Sequence, residues 1–130
     1  MLCLAGSIPR SHRPNRTRPY RFNLLQRGKE ESIVADPGPV IRRVASDVLA
    51  GTPIPQIARR FHDAVSQLIL DLAITCRDQT GLERVALGGG VFQNALLVEV
   101  TAQALSDSGF TVLLPRILPA NDGGIALGQI

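Results

Sequence analysis

The chain has 130 residues, of which 45% are hydrophobic and 4% aromatic, and this length and composition predict one domain with an aliphatic core. No run of about 18 apolar residues occurs, which excludes a membrane-spanning helix, and the lack of Trp leaves no aromatic surface for stacking bases. The formal charge of +3 comes from residues 1–29, which hold seven Arg or Lys and no acid, whereas residues 30–130 carry seven basic and eleven acidic side chains. The basicity therefore belongs to one end of the chain, and we do not expect a nucleic-acid partner.

Residues 1–18 combine Pro, Arg, Ser and Asn without hydrophobic periodicity, which is typical of a disordered segment, and we predict a disordered basic tail there. The first ten residues have too short an apolar part for a secretory signal, so we expect a cytoplasmic protein. Cys3 lies in this tail and Cys76 on the apolar face of a predicted helix, which indicates neither a disulfide framework nor a zinc site. We interpret Cys76 as a buried small hydrophobic residue rather than a reactive thiol.

Two short strand patterns follow the tail. Tyr20–Leu25 alternates in part between apolar and polar residues, and Ser32–Ala35 is a second short apolar run. The residues Arg27 to Lys29 between them, with their central glycine, offer a turn. Together these patterns indicate a hairpin.

Two helices are predicted next. The first is preceded by Pro37 and Pro39 and stops at Gly51. Its predicted apolar face holds Val40, Ile41, Val44, Val48 and Leu49. The second is the longest periodic segment of the chain, running from about Pro55 to Asp78 and ending before Gly81. Its apolar stripe is predicted to hold Ile57, Phe61, Ala64, Val65, Leu68, Leu72 and Cys76.

The rest of the chain alternates strands and helices. Arg84–Leu87 is a short buried strand, Phe92–Ser106 a helix and Phe110–Leu114 a second strand, and another helix opens at Gly123. This order normally places the two strands parallel in one sheet, joined by a right-handed crossover. We therefore predict an α/β fold with short parallel strands and helices packed on them.

Three glycines, Gly88, Gly89 and Gly90, directly follow the first of these strands. Free N–H groups at the start of the next helix would suit an anion such as phosphate, and glycine leaves no Cβ between backbone and ligand. The turn is neither a P-loop nor a dinucleotide-binding fingerprint, and close helix–strand packing explains the glycines equally well. Asn94, expected one turn into the helix, is either a ligand contact or a cap of the local backbone.

Two other side chains are candidates for chemistry. Asp122 precedes Gly123 at the start of the last helix, where it is either an N-cap or a carboxylate ligand of a metal, and the residues alone favour the cap. His62 lies beside the apolar stripe of the long helix. A lone histidine in such a place is more often a boundary or core residue than a ligand.

Three separated motifs make the chain resemble a known family. They are IARRFHDAV at Ile57–Val65, VALGGGVFQNALL at Val85–Leu97 and LPANDGGIALGQ at Leu118–Gln129. They resemble the C-terminal end of the HypF family of hydrogenase maturation carbamoyltransferases, in its domain related to the tRNA threonylcarbamoyl-transferases. The resemblance runs from about Pro19 to Ile130, and three motifs in the same order are far more specific than one glycine turn.

The resemblance implies a partial lobe of the actin/sugar-kinase/Hsp70-like fold, in which ATP or an adenylate lies in a cleft between two lobes. Gly88–Gly90 and Asn94 would face the nucleotide, and Asp122 would help to hold a divalent metal ion at the phosphates. His62 matches a Phe-His pair of the family and becomes a candidate substrate contact. Family members usually have Ser at the position of Gly88, so this chain lacks one hydroxyl near the phosphates.

The resemblance also implies a reaction. Family members use carbamoyl phosphate and ATP to form carbamoyladenylate, then transfer the carbamoyl group to the C-terminal cysteine of the partner HypE, a step toward the cyanide ligands of [NiFe]-hydrogenase. The partner's thiolate is the nucleophile, so no nucleophilic cysteine is needed here. We expect residues 19–130 to be an incomplete C-terminal lobe, and the isolated chain to be inactive without the first lobe and its metal-binding histidines.

Three other functions stay open on the sequence alone. A docking or scaffold lobe that has lost catalysis would keep the partner-binding surface but would not bind ATP. A relative of the tRNA threonylcarbamoyl-transferases would act on tRNA instead. A generic α/β domain with a nucleic-acid-binding tail would bind DNA or RNA in a steeply salt-dependent manner that disappears when residues 1–18 are deleted.

Overall fold

The computed structural model describes residues 19–27 and 32–115, so the predicted tail, Asp122 and the helix expected at Gly123 lie outside the described residues. Strands β1 and β2 span Asn23–Arg27 and Ser32–Asp36, and helices α1 and α2 span Gly38–Leu49 and Ile54–Thr80. Strand β3, a 3₁₀ turn, helix α3 and strand β4 follow, at Arg84–Ala86, Gly90–Gln93, Ala95–Asp107 and Thr111–Leu113. Within these ranges no helix has the length and hydropathy to cross a bilayer.

The predicted hairpin is confirmed, because β1 and β2 pair antiparallel with Asn23 opposite Asp36. The first strand begins three residues later than predicted. Tyr20 does not join it, since its ring packs into the core and is only 2% exposed. The Asp36 carboxylate then accepts a hydrogen bond of 2.8 Å from the N–H of Gly38, which links the end of the hairpin to the start of α1.

Helix α1 ends as predicted, with Ala50 as its C-cap and Gly51 next at φ +72°. Its predicted apolar face is only partly correct. Val40 is buried, but Leu49 is 88% exposed, and the other exposed members of the predicted face are Ile41 and Val48. The buried position in the second half of the helix is instead Asp47, at 6% exposure.

Asp47 is buried because three other side chains surround its carboxylate. Oδ2 accepts hydrogen bonds from the Tyr20 hydroxyl at 2.7 Å and from Arg60 Nη1 at 2.8 Å, and Arg43 Nε lies 3.9 Å from Oδ1. These contacts join the segment before β1, helix α1 and helix α2. The hydrogen bond from Tyr20 is the main reason that the pKa of Asp47 lies below its usual value of 3.8. Burial, reinforced by Asp47, raises the pKa of Tyr20 above 10.0.

Helix α2 contributes to two hydrophobic clusters. The first contains the buried residues Tyr20, Val40, Ile57 and Ala64. The second is built on Leu87, Leu105 and Phe110, against which α2 packs Ile69, Leu70, Ala73 and Ile74. Each cluster holds a buried aromatic ring, so the expectation of an aliphatic core is wrong at these two positions. The helix ends at Gly81, which has φ +73° and donates its N–H to the carbonyl of Arg77, as the sequence predicts.

The predicted stripe on α2 is wrong at Phe61, which is 43% exposed, and at Cys76, which is also exposed. The prediction assumes one continuous apolar face along the helix. In the structure α2 changes its packing partner midway, so the buried face shifts from Ile57 and Ala64 to the residues of the second cluster. Cys76 is therefore an exposed thiol beside the second cluster and not part of a core.

The two C-terminal strands pair in parallel, as predicted, with Arg84 opposite Thr111 and Ala86 opposite Leu113. Helix α3 packs on α2 and β4. Arg77 stacks 4.4 Å from the centre of the Phe110 ring and donates a 2.9 Å hydrogen bond to the carbonyl of Ser108, which fixes the end of α2 to the turn before β4. The structure thus confirms the α/β class with short parallel strands.

Replacing Asp47 by Asn is expected to destabilise the fold, because the neutral amide weakens the hydrogen bonds from Tyr20 and Arg60. The matched control is Asp63→Asn, which removes a similar ion pair to Arg59 from a side chain that is 53% exposed. Such an exposed pair contributes at most about 1 kcal/mol. Thermal unfolding at neutral pH followed by circular dichroism should show a clearly larger drop in Tm for Asp47→Asn. Equal drops in both variants would contradict the assigned role of Asp47.

The same comparison has a predicted pH dependence. The folded pKa of Asp47 is lowered, so its contribution is present above its usual value of 3.8 and is lost as the pH falls through the lowered value. The difference in Tm between wild type and Asp47→Asn should therefore shrink below that pH. The folded pKa of Tyr20 is raised, so the contribution of its neutral hydroxyl is lost as the pH rises above 10.0.

Candidate functional site

The glycine turn, Gly88 to Gly90, follows β3 and ends at the first residue of the 3₁₀ turn. Gly89 has φ +97° and ψ +164°, a backbone conformation that only glycine adopts without strain. Gly88 and Gly90 do not have positive φ. Of the three positions, Gly89 therefore has the backbone conformation for which glycine was predicted to be needed.

All three glycines are exposed, and a Cβ placed on any of them meets no atom of the described residues within 4 Å. Close helix–strand packing predicts crowded glycines, and the described residues show no such crowding. Among the described residues, the N–H groups of Gly88, Gly89 and Gly90 donate no backbone hydrogen bond. Relative to the described part of the chain, the turn is open and its N–H groups have no backbone acceptor, which are the requirements of an anion site.

The helix after the turn begins later than predicted. The 3₁₀ turn occupies Gly90–Gln93, and α3 starts only at Ala95. Asn94 has an extended backbone between the two elements and serves as the N-cap, with its Oδ1 accepting a 3.1 Å hydrogen bond from the N–H of Leu97. Of the two interpretations of Asn94 in the sequence, the structure shows the cap.

The other end of the Asn94 side chain contacts His62 on α2. Its Nδ2 lies 2.8 Å from Nε2 of His62, whose Nδ1 lies 2.8 Å from the carbonyl oxygen of Ala58. A carbonyl only accepts, so Nδ1 carries the proton and Nε2 accepts the hydrogen bond from Asn94. His62 is half-buried, as predicted for a boundary residue. Its contact with Asn94 was not predicted, because nothing in the sequence pairs two residues 32 positions apart.

The described residues do not form a metal site by themselves. They contain no group of three or more His, Cys, Asp and Glu side chains placed to share an ion. Both ring nitrogens of His62 are occupied by hydrogen bonds within the protein. Asp122, the predicted ligand, lies outside the described residues, and its role remains a prediction.

A sequence model of the family "Carbamoyltransferase, Kae1-like Domain, second subdomain" matches residues 9–129. The chain belongs to the HypF carbamoyltransferase family. It is 40% identical over 117 residues to the carbamoyltransferase HypF of Synechocystis, a match covering 90% of this chain and 14% of that protein. It is also 35% identical over 85 residues to a tRNA N6-adenosine threonylcarbamoyltransferase of Acaryochloris marina, covering 64% of this chain and 24% of that protein.

A solved structure of the family agrees with the fold. The crystal structure of full-length HypF in its phosphate- and nucleotide-bound form matches with a TM-score of 0.79 and 39% sequence identity, covering 85% of this chain and 14% of that chain. The chain thus corresponds to the C-terminal region of HypF and spans about one seventh of the length of the two HypF proteins, the one from Synechocystis and the one in the crystal structure. The family and the class of fold expected from the three motifs are confirmed.

The first prediction for the site concerns Gly89. Substitution by Ala places a Cβ on a backbone with positive φ and should cost about 1–3 kcal/mol of unfolding free energy. The matched control is Gly88→Ala, which introduces the same methyl group into open space without positive φ and should change stability by less than about 1 kcal/mol. Urea unfolding of both variants measures the difference. Equal stability of the two would contradict the conformation of the turn.

The second prediction concerns the tautomer of His62. Long-range ¹H–¹⁵N NMR should show a proton on Nδ1 and a bare Nε2, because Asn94 is the donor of their hydrogen bond. Asn94→Ala removes both the donor and the helix cap, and should cost about 0.5–2 kcal/mol of stability and mix the tautomers. Asn94→Asp is the control, since its carboxylate still caps α3. A native His62 protonated on Nε2 would contradict the assignment.

Proposed function

We propose that this chain supplies one wall of the nucleotide site of a HypF carbamoyltransferase, with Gly88, Gly89 and Gly90 facing the phosphates. The observation that carries the proposal is the open turn, whose three N–H groups have no backbone acceptor among the described residues. The similar full-length HypF is known in a phosphate- and nucleotide-bound form, which supports the ligand class. Preorganised N–H groups stabilise phosphate charge without reorganising during the reaction.

In the proposed reaction, carbamoyl phosphate, ATP and water give carbamoyladenylate, phosphate and pyrophosphate, and the C-terminal cysteine of a HypE-type protein then takes the carbamoyl group. The thiolate sulfur bonds to the carbamoyl carbon, the bond from this carbon to the phosphate oxygen breaks, and AMP leaves with the electron pair. The chain itself contributes phosphate binding. This function in [NiFe]-hydrogenase maturation would place the protein in the cytoplasm.

The side chains around the turn have different proposed roles. Asn94 follows the glycine turn in the chain, and after it donates one Nδ2 hydrogen to His62 the other has no acceptor among the described residues and is proposed to meet a ligand. His62 is proposed to position Asn94. Asp122 is proposed to contribute a carboxylate to a divalent ion near the phosphates, and because one carboxylate holds such an ion weakly, other ligands are needed beside it.

A second candidate is a tRNA threonylcarbamoyl-transferase, favoured by the match to the Acaryochloris protein. The HypF match is longer and closer, at 40% identity over 117 residues against 35% over 85. A docking lobe without catalysis is the alternative outside the enzymes. These three functions differ in what they bind: ATP with a HypE-type acceptor, ATP with tRNA, or a protein partner without ATP.

The function is tested by mixing the purified chain with the Synechocystis HypF segment that precedes its matched region. ATP, carbamoyl phosphate and a HypE-type acceptor are added, and mass spectrometry follows carbamoylation of the acceptor's C-terminal cysteine. We expect transfer with both polypeptides and none with either alone. Transfer by the isolated chain would refute the proposed division of the site, and absence of ATP binding in the mixture would favour the docking lobe. Transfer of a threonylcarbamoyl group to tRNA, in a parallel mixture that contains tRNA and a threonylcarbamoyl donor, would instead select the second candidate.

A substitution at Gly88 tests the phosphate contact. Gly88→Ser restores the hydroxyl usual in the family, and its Cβ meets no described atom within 4 Å. One added hydrogen bond to phosphate contributes about 0.5–1.5 kcal/mol, so the affinity of the mixture for ATP should rise about two- to tenfold. Gly88→Ala is the control, because it fills the same space without a donor. Equal ATP titration curves for the two variants would contradict a phosphate at this position.

A further inference from the structure

A polar groove with a volume of about 380 Å³ lies between helices α2 and α3. Its charged side chains come from both helices and comprise three carboxylates and one guanidinium group: Asp63, Glu99, Asp107 and Arg59. The guanidinium group already pairs with Asp63, with 3.0 Å between Nε of Arg59 and Oδ1 of Asp63. The walls of the groove therefore carry more negative than positive charge.

Two side chains of this groove have no partner among the described residues. Glu99 is exposed on α3, and its carboxylate forms no hydrogen bond or ion pair with this part of the chain. Ser66 also lines the groove and is only 5% exposed, yet its hydroxyl forms no hydrogen bond with the described residues. A buried polar group normally has a partner, since leaving it without one costs free energy. The hydroxyl of Ser66 thus indicates a binding partner in the groove.

The described part of the chain begins next to this groove. Pro19, its first residue, lines a smaller cavity together with Asp63 and Gln67. Both Asp63 and Gln67 also line the groove between α2 and α3. The segment directly before Pro19, residues 10–18, has no acidic residue and contains four arginines: Arg10, Arg13, Arg16 and Arg18. A strongly basic segment is therefore tethered beside a groove of opposite charge.

The spacing of the charges on the segment matches that on the groove. Glu99 and Asp107 lie on α3 at a separation of about 12 Å along the helix axis, at 1.5 Å per residue. Arg13 and Arg16 are separated by about 10 Å in an extended chain, and so are Arg16 and Pro19. An extended segment that leads into Pro19 can therefore place two arginines at the two carboxylates of α3.

We propose that residues 10–18 bind in this groove as an extended segment, with arginines at Glu99 and Asp107 and the hydroxyl of Ser66 bonded to the segment's backbone. The composition of the segment does not allow a core of its own, so contact with the rest of the chain is what would order it. The same segment of a second copy fits less well, because it would compete with one that is tethered beside the groove at high effective concentration.

Disulfide trapping in the full chain detects the docked segment. Cys3→Ser and Cys76→Ser remove the native thiols, Asn15→Cys adds one thiol to the segment, and Gln103→Cys adds a second in the groove. In the control pair, Ser106→Cys replaces Gln103→Cys, since Ser106 is also exposed on α3 but does not line the groove. At low salt the groove pair should close about tenfold faster than the control pair. In about 1 M NaCl, where charges are screened within about 3 Å, this difference should disappear.

An exchange of charges separates docking from a general effect on the fold. Arg13→Glu combined with Arg16→Glu should abolish the faster closure of the groove pair, and so should Glu99→Arg combined with Asp107→Arg. All four substitutions together should restore it, because opposite charges then face each other again. Ser66→Ala should lower the ratio of the two closure rates about two- to tenfold, since it removes one hydrogen bond. Circular dichroism confirms that the variants fold.

Three results would overturn the proposal. The first is equal closure rates for the groove pair and the control pair at low salt. The second is a faster closure of the groove pair that neither charge reversal alone nor Ser66→Ala changes. The third is a disulfide that forms between molecules and accelerates with protein concentration, which would assign the groove to the segment of a second copy. None of these measurements involves nucleotide or carbamoyl transfer.

Discussion

Burial against α2 is the interaction on which the rest of the structure depends. One half of this helix packs on the segment around Tyr20 and on α1, and the other half packs on β3, α3 and Phe110. Two short two-stranded sheets would be marginal on their own, since small sheets need a packed partner to be stable. Both hydrophobic clusters therefore share one helix, and Asp47 adds a buried polar contact to the first.

The sequence predicts the order and type of the elements well. The glycine positions predict the ends of the two helices, at Gly51 and Gly81. Hydrophobic periodicity predicts the hairpin and the parallel strands. Both are local signals. The predictions of which side chains are buried failed where contacts with another element determine the burial. Asp47 is buried because Tyr20 and Arg60 surround it, and no pattern within α1 indicates this. Cys76 is exposed because α2 changes its packing partner midway.

For the candidate site, too, the sequence predicts local features but not contacts between elements. The glycine turn and Asn94 are recognisable from the order of residues, and the three motifs identify the family. The hydrogen bond between Asn94 and His62 depends on how α2 and α3 pack, so only coordinates reveal it. It gives each residue a defined partner: His62 accepts through Nε2, and Asn94 holds the first turn of α3 with its other end. Asp122 remains a prediction from the resemblance, because it lies outside the described residues.

The length of α2 has a mechanical consequence. His62 and Cys76 are 14 positions apart on one unbroken helix, which corresponds to about 21 Å along its axis at 1.5 Å per residue. One helix therefore carries both the side chain that contacts Asn94 and the exposed thiol, so any change in the position of α2 would move both together.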